Sequence, residues 1–188
     1  MSEEGHLDRP NVVVQAWQPT GTEADGEFFE RVVPRLKDIK EAHVRNLSIE
    51  GKPFTEEGVQ RSLAYLESRL RDLRPGDAVP LAKIDDTVVG CVLMRWDEGE
   101  QRMQLEQFYV DTSLRSLGIG SELLRRAIEH AGATRRGESK GIFLTTGEGN
   151  EGAQRLYSKF GFRPSNIPAN EPGEIRLELD FEKKAVER

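Results

Sequence analysis

Hydrophobic positions recur along this chain with two alternating periods, and the predicted elements follow from them. Asn11 to Trp17 contains Val12-Val13-Val14, β-branched residues that predict a first strand. Phe29, Val32, Val33, Leu36 and Ile39 then fall at helical spacing behind Asp25, a candidate N-cap, and Pro34 is expected to kink or restart that helix. A loop is expected from Asn46 to Phe54. Thr55, followed by Glu56 and Glu57, predicts a second helix carried by Val59, Leu63, Leu66 and Leu70 and ending near Arg74-Pro75-Gly76. Val79 to Ile84 and Thr87 to Trp96 read as a hairpin joined at Asp85-Asp86, and the apolar run Val88 to Met94 suits a strand covered on both faces. After a turn at Asp97 to Gln101, Met103 to Val110 reads as a central strand. It leads through Asp111-Thr112-Ser113 into a helix with Ile119, Leu123, Leu124, Ala127, Ile128 and Ala131 on one side. Gly141 to Thr146 predicts another strand. A helix with Ala153, Leu156, Tyr157 and Phe160 on one face follows, stopped by Gly161, and Ile175, Leu177, Leu179 and Phe181 alternate in a last strand.

The junction from Arg115 to Gly120 places a glycine-bearing turn between a strand and a helix. A helix start has N–H groups without intrahelical partners and about half a positive charge, so a phosphate or pyrophosphate is a natural guest there. Gly118 and Gly120 let a ligand approach that backbone closely; the alternative is an ordinary turn. No Gly-Lys-Ser/Thr follows at phosphate-loop spacing, and Gly118-Ile119-Gly120 lacks the third glycine and downstream acid of a dinucleotide site.

Two segments carry a more specific signal. Tyr109-Val110-Asp111-Thr112-Ser113-Leu114-Arg115-Ser116-Leu117-Gly118-Ile119-Gly120 resembles the acetyl-CoA signature of the GNAT superfamily of N-acetyltransferases, with its core Arg/Gln-x-x-Gly-x-Gly/Ala. Asn150-Glu151-Gly152-Ala153-Gln154-Arg155-Leu156-Tyr157-Ser158-Lys159-Phe160-Gly161-Phe162 is similar to the later Asn-x-x-Ala-x-x-Leu-Tyr-x-x-x-Gly-Phe element of the same family. The resemblance spans roughly Val79 to Phe181. It implies a single α/β domain over residues 11–188: a mixed, mostly antiparallel sheet of six to seven strands, splayed at its centre, with helices on both faces.

For chemistry, the resemblance implies transfer of an acetyl group from acetyl-CoA to a primary amine, without a metal. Backbone N–H groups of Arg115, Ser116, Leu117, Gly118, Ile119 and Gly120, with Ser121 nearby, would hold the pyrophosphate, and the Arg115 side chain would add charge. The family usually has glycine and a basic residue where Ser116 and Leu117 stand, so a side-chain contact at Leu117 is lost. Phe108, Tyr109 and Val110 would supply strand-end backbone donors to the acyl carbonyl, and Asn150 and Ala153 fall in the second cofactor element. Tyr157 matches the tyrosine that acts as general acid in relatives; its place on an apolar helix face equally suits packing. Glu106 is the candidate base, sharing a face by period two with Gln104, Phe108 and Val110. Its alternative role is an acid that binds the substrate ammonium or a neighbouring arginine. In the family the paired helices between the first two strands lie over the acceptor, so that segment is expected to choose the substrate.

Composition adds bounds. The 188 residues suffice for one domain with a sizeable core, and the net charge of −6 argues against a polyanion such as nucleic acid while suiting a cationic amine. Cys91, the single cysteine, cannot form an internal disulfide and reads as a small buried hydrophobe. Residues Met1 to Pro10 are polar and expected to be flexible; with no signal-like or membrane-spanning run, a soluble cytoplasmic protein without membrane partners is the expectation. His6, His43 and His130 are isolated and give no metal-ligand spacing, Arg125-Arg126 and Arg135-Arg136 read as solvated faces among acids, and Ser113 and Ser121 lack a matching histidine for a hydrolase triad. With no activated Cys or Ser, direct transfer in a ternary complex is expected, to a small-molecule amine ahead of a protein or peptide amine. A module that binds acyl-CoA without turnover is the rival of another class. A homodimer is a further expectation from the family.

Overall fold

The computed structural model describes residues 11–20, 23–46, 48–49, 52–134 and 139–181. Strand β1 (Val12–Trp17) is followed by α1 (Glu23–Glu27), a π-helical turn at Phe28–Val32 and α2 (Val33–Arg45). Pro34 stands at the start of α2, where a missing N–H costs nothing, and the π turn just before it absorbs the restart. Asp25 does not cap this helix: it lies inside α1 and its carboxylate accepts from the Thr20 N–H at 3.1 Å and hydroxyl at 3.0 Å. The expected loop after Asn46 contains a small antiparallel pair, β2 (Ser48–Ile49) with β3 (Lys52–Pro53). Thr55 caps α3 (Glu56–Arg71) as its spacing predicted, with its Oγ1 accepting from the Gly58 N–H at 3.1 Å.

Strands β4 (Val79–Ile84) and β5 (Thr87–Asp97) form the hairpin, turning at Asp85 with φ of 51°. Then come β6 (Arg102–Val110), a 3-10 turn at Thr112–Leu114, α4 (Ile119–Ala133), β7 (Gly141–Gly147), α5 (Glu151–Lys159), β8 (Arg163–Pro164) and β9 (Glu174–Asp180). The protein is a single α/β domain whose seven-stranded sheet has the order β1-β4-β5-β6-β7-β9-β8, antiparallel except where β6 meets β7. Helices cover both faces. Val92, Met94, Met103 and Leu105 pack with Leu124, Ala127 and Tyr157 of α4 and α5, whereas Val79, Cys91 and Leu93 pack with Leu36 and Ile39 of α2 and Leu66 and Leu70 of α3. Trp17 stacks on Phe28 with ring centroids 3.7 Å apart, closing the second layer at its edge.

Two departures from regular pairing position the site. Strands β6 and β7 pair only through Met103, Leu105 and the residue between them, opposite Ile142 to Leu144, and part beyond Leu105. On the other side of β6, Val92 pairs with Phe108 but Met94 with Leu105, so β6 carries an extra residue across this step, a β-bulge at Glu106-Gln107.

Candidate active site

The bulge reverses the alternation of β6. Before it, Met103 and Leu105 face α4; after it, Phe108 and Val110 do. Both Glu106 and Gln107 therefore face α2 and α3, together with Tyr109, whose ring packs in the second layer. This corrects the period-two expectation that Glu106 shares a face with Phe108 and Val110: an inserted residue shifts the phase. The Asp111 N–H donates to the Val89 carbonyl at 2.8 Å, so alternation along the ladder turns the N–H groups of Phe108 and Val110 away from β5 toward the gap beside β7.

That gap opens into a cleft of about 1170 Å³. Of the residues singled out in the sequence, Glu106, Phe108, Tyr109, Val110, Arg115, Ser116, Gly118, Ile119, Gly120, Ser121, Asn150, Ala153 and Tyr157 all line it. Leu117 does not; it points to solvent.

The signature loop is tied down from behind. Asp111 accepts from the Ser113 hydroxyl at 2.7 Å and the Ser113 N–H at 3.1 Å, and pairs with Arg35 of α2 at 2.6 Å. The Ser113 hydroxyl, with the Ser113 N–H and Arg35, outweighs the opposing effect of burial and holds the Asp111 carboxyl below its ordinary range. Ser116 adopts φ of 70° and Gly118 φ of 85°. A left-handed Ser116 explains why glycine is usual there in the family. Gly118 caps α4 without a side-chain bond, and beyond its own chain neighbours no atom of the described residues lies within 4 Å of where its Cβ would stand. Beside it the N–H groups of Ile119, Gly120 and Ser121 precede the first intrahelical bond, from Glu122 N–H to the Gly118 carbonyl, and have no partner among the described residues, which fits a pyrophosphate. Arg115 stands beside it, its Nη2 2.9 Å from His43 Nδ1.

Across the cleft, Asn150 caps α5, its Oδ1 accepting from the Ala153 N–H at 3.3 Å. Tyr157 is buried against Phe162 and Phe108, with ring centroids 5.7 and 6.2 Å away. Its hydroxyl meets no protein partner among the described residues, yet it is not sealed from the cleft. Burial pushes its pKa above the ordinary phenol value, so it stays protonated. Glu106 is held by Arg69 of α3 through both oxygens, at 2.9 and 2.5 Å. The neighbouring-arginine reading of Glu106 is therefore the one the geometry supports over a free base.

Several cleft residues were not found by sequence reasoning. His43, set aside as isolated, packs edge-on against Tyr109 at 5.1 Å, and burial followed by the charges of Arg115 and Lys40 lowers its pKa to about 4. Tyr65 and Gln107 line the cleft, and Lys40 lies buried behind them with its pKa lowered by burial to about 8. One signal was present: Lys40 occupies an apolar stripe with Leu36 and Val44, where a charge needs a reason. Among the described residues no group of His, Cys, Asp or Glu is arranged to hold a metal ion.

The cleft thus joins a sheet that parts beside a bulged strand, a helix N-terminus at one end and a buried tyrosine hydroxyl at the other. The sequence profile of the Acetyltransferase (GNAT) family matches residues 40–162, and the chain belongs to that family. It is 32% identical over 111 residues to N-acetylaspartate synthetase of Rattus norvegicus, covering 54% of this chain and 36% of that protein. To spermine/spermidine N(1)-acetyltransferase of Bacillus subtilis (strain 168) it is 33% identical over 67 residues, covering 36% of this chain and 43% of that protein. The chain spans about half or less of the length of these curated relatives. The PaiA N-acetyltransferase of Thermoplasma acidophilum, solved in complex with coenzyme A, shares the fold with a TM-score of 0.65 at 13% identity, covering 90% of this chain and 99% of that one.

Proposed function

We propose that this protein is an acetyl-CoA-dependent N-acetyltransferase that acetylates a primary amine of a small molecule by direct transfer in a ternary complex, residues 11–188 forming one catalytic domain. The observation that carries this reading is the Tyr157 hydroxyl, open to the cleft, protonated and without a partner among the described residues, on the wall facing the parted strand β6. Bound acetyl-CoA would supply an acetyl group already activated as a thioester. The free N–H groups at the start of α4 and the Arg115 guanidinium would hold its pyrophosphate, with Gly118 giving close access. The outward N–H groups of Phe108 and Val110 would polarise the acyl carbonyl, donors of a kind worth about 3 to 4 kcal/mol in a dry site.

The Tyr157 Oη–H donates its proton to the departing sulfur as the C–N bond forms and the C–S bond breaks. The burial that raises the phenol also raises the proton affinity of a thiolate beside it, so donation remains feasible. Glu106 anchors Arg69 in this reading, and the amine's proton leaves to water. The His43 imidazole, neutral and accepting from Arg115 on Nδ1, carries its proton on Nε2 and is a donor toward the cleft. Cys91 is buried with its thiol pushed up to about 12, which supports direct transfer over a covalent acyl-enzyme. The names of the rat and Bacillus relatives, an amino-acid product and polyamine substrates, support a small acceptor. A homodimer is proposed with this reading, and a light-scattering mass equal to the monomer's would remove it.

The test is a thermal-shift titration with acetyl-CoA, CoA and ATP, followed by an amine screen for released thiol. A ligand at a hundred times its dissociation constant stabilises the folded state by about 2.7 kcal/mol. Stabilisation by acetyl-CoA and not ATP, with amine-dependent thiol release, upholds the reading. Stabilisation without release from any amine would make the protein an acyl-CoA-binding module, and no stabilisation would sink both.

A further inference from the structure

The bulge places two consecutive side chains on the acceptor face, and the second is unusually constrained. Gln107 Oε1 accepts from the Lys40 ammonium at 2.5 Å and from the Tyr109 hydroxyl. Its orientation is dictated by chemistry: an ammonium has only donors, so the amide must turn its oxygen toward Lys40. Lys40 is held in turn by the faces of Tyr109 and Tyr65, with Nζ 5.2 and 5.7 Å from the ring centroids. The opposite end of the amide, Nε2, has no protein acceptor among the described residues, is not sealed from solvent, and belongs to a residue that lines the cleft. Two N–H donors are thus fixed toward the acceptor space.

The charge on this wall points the same way. Its carboxylate, Glu106, is neutralised by Arg69 through Nε and Nη2, and Lys40 has no carboxylate partner among the described residues. A cationic chain finds no free anion here, whereas an oxygen acceptor finds two oriented donors backed by a buried positive charge. We propose that Gln107 determines acceptor specificity, its pinned amide selecting amines that carry a carbonyl or carboxylate oxygen on the carbon next to the amino carbon, as amino acids and their amides do, over plain alkylamines and polyamines. Lys40 and Tyr109 are positioning residues acting through it. This rests on the acetyl-transfer reading and names its substrate class. Glu171 and Glu174 line the cleft from the β9 side and are where a polyamine would bind instead.

The experiment compares thiol release with an amino-acid amide, a free amino acid, an alkylamine of matched length and spermidine, for wild type, Gln107→Glu and Gln107→Leu. Gln107→Glu keeps the shape and the acceptor for Lys40 and Tyr109 while replacing the two donors by an oxygen, so it tests recognition without unmaking the wall. The expected result is a wild-type preference of at least tenfold in kcat/KM for the carbonyl-bearing amines. That ratio should collapse at least tenfold in both variants, through KM. A wild-type preference for spermidine, or a ratio untouched by Gln107→Glu, overturns the proposal. An independent readout is the Gln107 side-chain amide signal in a nitrogen-15 spectrum, assigned by its loss in Gln107→Glu. It should move on titration with the amino-acid amide and stay still with the alkylamine. If no amine is turned over, the acetyl-transfer reading fails, and this titration alone decides: a selective shift upholds recognition by Gln107, and no shift overturns it.

Discussion

Replacing Lys40 by methionine tests whether its buried ammonium is as unwelcome as its surroundings imply. Burial lowers its pKa from 10.5 to about 8, which corresponds to about 3 kcal/mol against the charged form in the folded protein. The folded pKa lies below the unfolded one, so between about pH 8 and 10.5 the unfolded chain binds more protons. Stability contributed by this group therefore rises with pH through that window; the penalty is complete at pH 7 and gone above 10.5. Lys40→Met lacks it at every pH. Around Lys40, the Cys91 thiol is pushed up to about 12, Tyr109 is raised by burial, His43 is lowered to about 4, and Gln107 does not titrate. His43 and Cys91 feel the Lys40 charge, but the imidazole is already neutral at pH 7 and the thiol is still protonated at pH 9.5, so neither titrates within the compared window. At pH 7 the methionine variant loses the bond to Gln107 and the contacts with two aromatic faces, about 2 kcal/mol together. Its net stability should then lie within about 1 kcal/mol of wild type. The sharper quantity is the gap between the two at two pH values. Urea unfolding at pH 7.0 and 9.5 should show wild type gaining about 2 kcal/mol on the variant. A gap that stays constant within about 0.5 kcal/mol would show that Lys40 is solvated in the folded state, and the argument that it pins Gln107 by a buried charge would fail with it.

Other expectations follow from the same geometry. Tyr157→Phe should lower kcat at least tenfold with acetyl-CoA affinity nearly unchanged, since only the hydroxyl is removed; unchanged turnover would reject the acid role. Gly118→Glu should abolish acetyl-CoA binding measured by calorimetry, because it adds bulk and negative charge at a left-handed cap, and retained affinity would misplace the phosphate site. Ser116→Gly should raise stability by up to about 1 kcal/mol by relieving the left-handed strain, partly offset by unfolded-state entropy; a loss of stability in urea would show that the Ser116 side chain makes an offsetting contribution.

Much of the scaffold could be read because periodic burial wrote it. The stripe Val59, Leu63, Leu66 and Leu70 and the cap Thr55 appear where their spacing put them. The acidic and basic residues Glu122, Arg125, Arg126 and Glu129 form ion pairs among themselves along α4, as a solvated face should. Arg135, Arg136 and Glu138, and the polar stretch Met1 to Pro10, lie outside the described residues. The signature loop was legible because its function lives in backbone geometry that glycine betrays. The acceptor wall was not, because it joins Lys40, Tyr65 and Arg69 from two helices to a strand whose phase is broken at Glu106-Gln107. Pattern reading assumes an unbroken period of two, and nothing local in Leu105-Glu106-Gln107-Phe108 announces an extra residue. The same break explains how His43 could look isolated: its neighbours Tyr109 and Arg115 are brought to it only by the completed fold.

The extra residue in β6 also sets how the strand tolerates change. Upstream of it the odd positions, Met103 and Leu105, are sealed in the core; downstream, the even positions, Phe108 and Val110, take over that side. Sensitivity to polar substitution should accordingly switch from odd to even positions within two residues, a phase slip readable in a saturation-mutagenesis profile of this strand alone. Deleting either Glu106 or Gln107 would restore an even rhythm, keep Phe108 and Val110 on the α4 side, and leave one side chain on the acceptor wall where two now stand. The irregularity therefore lets one strand set two consecutive polar side chains, Glu106 and Gln107, on the acceptor-side wall, which an unbroken strand cannot do.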